Sequence, residues 1–60
     1  MIVYEKKKNQ NRYQVELIEN SGLYAVRRVD ETNTAHYLPQ VFQLEWCAVL
    51  TCKECANKGQ

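Results

Sequence analysis

The sequence predicts an α+β fold: a three- to four-stranded antiparallel meander followed by one C-terminal helix packed on the sheet. Three observations predict it. Residues 12–19 and 23–30 are rich in Val, Tyr, Ile and Leu and flank Asn20-Ser21-Gly22, a turn sequence whose glycine suits a left-handed backbone. Pro39 has no N–H to give a ladder and is welcome in the first turn of a helix, so it marks a change from strand to helix. Beyond it, apolar residues recur at helical spacing until Asn57-Lys58-Gly59, where glycine follows the last turn as a C-terminal cap.

Taken in order, residues 2–5 form a short first strand, and Lys6-Lys7-Lys8-Asn9-Gln10-Asn11 is a polar run expected to loop into the next element. The following two strands form a hairpin. A three-residue loop with Gly22 left-handed places Glu19 opposite Leu23, and counting back pairs Leu17 with Ala25, Val15 with Arg27 and Tyr13 with Val29 on a core face. Ile18 with Tyr24, Glu16 with Val26, Gln14 with Arg28 and Arg12 with Asp30 then share the outer face. Glu31-Thr32-Asn33 is a second turn, with Asn33 suited to positive φ, and residues 34–38 return as a third strand with Ala35 beside Val29 and His36 beside Arg28. The helix is expected over about residues 40–57. Phe42-Gln43-Leu44-Glu45-Trp46 also alternates as a strand would; in that alternative the chain closes into an all-β, five-stranded SH3-like barrel.

Residues 41–56 are apolar on two sides when wound as a helix. Val41, Leu44, Cys47, Ala48, Thr51, Cys52 and Cys55 make a small-residue stripe suited to packing on the sheet. Phe42, Trp46, Val49 and Leu50 lie roughly opposite and form a candidate partner-binding face, because Trp and Phe are enriched in binding patches and large exposed apolar patches are uncommon on monomers.

With 60 residues the chain is expected to form a single compact domain, residues 1–60. A chain of this size buries only about 60% of the surface that its unfolded form exposes. Disulfides, a metal or oligomerisation are the usual aids. Three cysteines clustered near one end do not form a secreted disulfide framework and are most simply reduced thiols. The opening Met-Ile-Val-Tyr-Glu-Lys-Lys-Lys does not have the charge order of a signal peptide, and no stretch is long enough to span a bilayer, so a cytoplasmic protein without a membrane partner is expected.

Candidate chemistry is sparse. Cys52-Lys53-Glu54-Cys55 has the two-thiolate spacing of zinc sites, and Cys47 with His36 would complete a four-ligand set for a zinc-stabilised mini-domain, although a second matched ligand pair is missing. Redox chemistry is disfavoured, since these thiols fall near the helix C-terminus, where the dipole opposes the thiolate. His36 near Arg28, Gln14 and Glu16 resembles an acid/base cluster but sits on an open face without a pocket. No nucleophile elbow, phosphate-cradling glycine loop or paired carboxylate is present. Lys6, Lys7, Lys8, Arg12 and Arg28 are candidate nucleic-acid contacts, with Tyr24 for stacking, although a net charge of +1 argues against a dedicated nucleic-acid binder. The expectation is therefore a small non-enzymatic protein-interaction module without a cofactor, binding itself as a homodimer or masking a surface of a larger protein. Small size without catalytic chemistry is also the style of phage or mobile-element inhibitors of host systems.

Overall fold

The computed structural model describes residues 1–59. Four antiparallel strands, β1 (Ile2–Lys8), β2 (Asn11–Ile18), β3 (Leu23–Val29) and β4 (Ala35–Phe42), lie side by side in chain order and are followed by one helix, α1 (Glu45–Lys58). The sheet is open and does not close into a barrel; α1 covers one of its faces. The core between them joins Tyr13, Val15 and Val26 of the sheet to Ala48, Cys52 and Ala56 of the helix. Those helical positions are spaced four apart, on one stripe, and their small side chains let the helix backbone approach the sheet closely.

Of the predicted small-residue stripe, Ala48, Cys52 and Cys55 pack on the sheet, joined by Ala56, which the expected stripe did not include. Val41 and Leu44 belong to the strand and the connection before α1 and are exposed. Pro39 does not end the strand. Leu38, Pro39 and Gln40 stand opposite Val26 alone, between the paired residues Tyr37↔Arg27 and Val41↔Ala25. The proline occupies an irregularity on an edge strand, where no ladder N–H is required of it. β4 therefore runs to Phe42 and α1 begins at Glu45 rather than near Gln40. The helix ends as expected, with Gly59 left-handed at φ 72° and its N–H donating to the Ala56 carbonyl at 3.3 Å.

Two further expectations are corrected. Lys6, Lys7 and Lys8 are not a loop: they continue β1, which turns at Asn9-Gln10 with Asn9 at φ 57° and pairs Lys8 with Asn11. The β2–β3 loop has four residues, Glu19-Asn20-Ser21-Gly22, with both Asn20 (φ 72°) and Gly22 (φ 69°) left-handed. Ser21 Oγ donates to the Ile18 carbonyl at 2.9 Å and accepts the Leu23 N–H at 3.2 Å, closing the loop. The extra residue slides the register by one, so Val15 pairs with Val26, Leu17 with Tyr24, Tyr13 with Arg28 and Gln14 with Arg27. A one-residue slip exchanges the faces of a strand. Here it puts valine on valine beneath the helix, whereas the expected register would have driven Arg27 into that position. The β3–β4 connection is as expected: Asn33 has φ 67°, Ala35 pairs with Val29 and His36 with Arg28.

Candidate functional site: a groove between the helix and the first strand

The outer flank of α1 and the adjoining edge of β1 border a shallow, open groove of about 650 Å³ lined by Val3, Tyr4, Trp46, Val49, Leu50 and, at its two ends, Glu45 and Lys53. Trp46 is 62% exposed and Leu50 49%, one helical turn apart on the same flank. Val3, Tyr4 and Val49 are partly buried and pack on the core, so they make the floor. Lys53 Nζ lies 5.8 Å from the centre of the Tyr4 ring, within cation–π range. In β1 the register shifts between Ile2 and Tyr4, and this irregularity turns both Val3 and Tyr4 toward the helix.

Of the four residues expected to form the apolar face, the structure brings Trp46, Val49 and Leu50 to this groove. Phe42 is on β4, paired with Tyr24, and packs on the core. Tyr4, Val3 and Lys53 were not expected there. The apolar dipeptide Val3-Tyr4 is the signal that β1 has a side facing another element, but only the bulge shows that both residues share it.

The five cations proposed for nucleic acid do not share one patch. Lys6 pairs with Tyr13, Lys8 with Asn11 and Arg28 with both Tyr13 and His36, which places them on the helix side; Lys7 and Arg12 pair with each other on the open face. Lys8 Nζ donates to the Asn57 carbonyl at 3.3 Å, and Arg12 donates to Asn33 Oδ1 at 2.6 Å rather than pairing with Asp30. Tyr24 packs on the core instead of offering a stacking face.

The zinc set is likewise dispersed. Among the described residues no three His, Cys, Asp or Glu side chains converge on a common point. Cys52 is buried against the sheet and burial pushes its thiol up to about 11, with Cys55 adding to the effect and Lys6 opposing it. His36 Nε2 lies 2.8 Å from Asp30 Oδ2. The other Asp30 oxygen accepts from the Thr32 hydroxyl at 2.6 Å and from the Thr32 and Thr34 N–H groups at 3.0 Å each. These donors, the Thr32 hydroxyl first, then His36 and the backbone, hold the Asp30 carboxyl well below the usual carboxylate range. Asp30 is thereby the clasp of the β3–β4 turn, and His36 is bound to that clasp.

The uncovered sheet face carries a row of polar side chains across all four strands. Gln14 Nε2 donates to Glu5 Oε1 at 2.7 Å, Arg27 Nε donates to Gln14 Oε1 at 2.7 Å, and Arg27 Nη1 donates to the Tyr37 hydroxyl at 3.1 Å. That hydroxyl donates in turn to Glu16 Oε1 at 2.9 Å. Gln14 is buried although it lies opposite the helix, and the row satisfies both ends of its amide. Each member follows from the observed register, which pairs Glu5 with Gln14, Gln14 with Arg27 and Arg27 with Tyr37.

Comparison with protein-family models, curated proteins and solved structures finds no match to this chain. No helix among the described residues is long and apolar enough to cross a membrane.

Proposed function

We propose that the protein is a small non-enzymatic protein-interaction module whose binding surface is the groove between α1 and β1. The observation that carries this reading is the placement of the chain's single tryptophan, well over half exposed, beside Leu50 over an apolar floor. An exposed aromatic anchor next to a partly buried apolar groove is the usual composition of an interface hot spot. The other route to association, addition of a strand, is blocked at both sheet edges. β1 presents three lysines and a bulge, and β4 presents Pro39 within an irregular stretch.

Phe42 belongs to the core in this reading, so the residues that carry binding are Trp46 and Leu50, with Val49 and Tyr4 beneath them. Trp46→Ala removes the anchor without opening the core, because the ring stands outside it. Its expected effect is a loss of binding of about 2 kcal/mol or more, tenfold or greater in affinity, with the melting temperature nearly unchanged. Immobilised wild-type and Trp46→Ala chains, exposed to the chain itself and to an extract of its source cells, provide the measurement. A bound protein retained by both chains alike, or by neither, would overturn the assignment.

A further inference from the structure

Resting on the assignment of the groove as a protein interface, we infer that its occupant is a second copy of this chain, set antiparallel across a twofold axis near Val49 and Leu50. The groove is charged at its two ends with opposite sign: Glu45 lies in the first turn of α1 and Lys53 eight residues later, about 12 Å along the axis, with Trp46, Val49 and Leu50 between. A twofold interface places the same patch on itself. In the antiparallel arrangement Glu45 of each copy meets Lys53 of the other, twice per dimer, and Trp46 and Leu50 of each copy close over the apolar floor of the other. A parallel arrangement would set Glu45 on Glu45 and Lys53 on Lys53.

Neither Glu45 nor Lys53 is in a salt bridge among the described residues. The side-chain contact of that kind found among the described residues joins His36 to Asp30, at the far turn, and Lys53 lies over the Tyr4 ring. Antiparallel helices also bring the positive N-terminal end of one dipole toward the negative C-terminal end of the next. A second copy supplies in addition what a chain of this size lacks, further apolar burial against a small core.

Sedimentation equilibrium of the full chain tests this with four proteins: wild type, Glu45→Lys, Lys53→Glu and the double exchange E45K/K53E. Wild type is expected to be dimeric at micromolar concentration. Each single reversal sets like charges at both ends of the interface and weakens self-association about tenfold or more; the double exchange restores it to within a few-fold of wild type. Thermal melts of the four proteins separate any cost to the helix, since Glu45→Lys also places a cation in its first turn and the double exchange does not relieve that. A double variant that associates no better than the singles overturns the antiparallel pairing. A wild-type chain that remains monomeric but still captures another protein through Trp46 overturns this inference and leaves the groove assignment standing. A monomer with no Trp46-dependent binding overturns both.

Discussion

The cysteines show how burial, rather than motif spacing, sets the chemistry of a side chain. Cys52 is fully buried, while Cys47 and Cys55 on the same helix are partly exposed. Thiolate character governs reaction with electrophiles, and burial has pushed Cys52 up to about 11. Native protein treated with iodoacetamide at neutral pH should therefore be modified at Cys47 and Cys55 and become modified at Cys52 only after unfolding, as mass spectrometry of the labelled peptides would show. Rapid labelling of all three in the folded state would contradict the packing of α1. Asp30 makes the second residue-scale prediction. Its carboxyl is held below the ordinary 3.8, so its contribution to stability is complete above that value and is lost as the pH falls below it and the folded state must take up the proton. Asp30→Asn should lower the melting temperature near neutral pH and flatten its fall below about pH 4 relative to wild type. The positive-φ residues Asn33, Gly22 and Gly59 were legible in the sequence because their side chains, or lack of one, suit that backbone. Asn20 was not, although the same chemistry applies, because Gly22 already sufficed for a shorter loop.

Among the elements, the weakest local feature is the start of α1. Leu44 occupies the N-cap position with extended backbone (φ −113°, ψ 132°) and its side chain makes no capping hydrogen bond. Leu44→Ser should supply the missing acceptor for an N–H of the first turn and stabilise the protein by about 1 kcal/mol, seen as a rise in melting temperature of roughly 4–8 °C. No gain would mean that the exposed Leu44 side chain has a packing role of its own. The helix itself was legible from its small-residue stripe and its terminal glycine, whereas its start was not, since Phe42 and Leu44 satisfy strand alternation and helical spacing equally. Pro39 misled for a physical reason: on an edge strand the lost N–H has no partner to miss, so β4 passes through it. The hairpin register differs by one residue from the expected one because loop length, not composition, determines it. That slip concealed the row from Glu5 through Gln14 and Arg27 to Tyr37, which can be read only once Gln14 and Arg27 are opposed.

For the whole molecule, the sheet order and the docking of one helix on one face follow directly from the sequence pattern, and the remaining surfaces differ in what they leave available. Both sheet edges are blunted, and the open face is tied together by its polar row. The flank of α1 beside β1 keeps an apolar floor, an exposed tryptophan and unlike charges at its ends. The exposure of Trp46 was legible from its position opposite the small-residue stripe. Its setting was not, because the partners in the groove come from a strand more than forty residues away in the chain. If the groove closes on a second copy, the single tryptophan reports the closure without any substitution. In one chain Trp46 is 62% exposed; a dimer closed on this groove would cover it. Trp46 emission should therefore lie at short wavelength at high protein concentration and move to long wavelength on dilution, with the same midpoint as dissociation in sedimentation. Emission at the wavelength of a solvent-exposed indole at every concentration would contradict it.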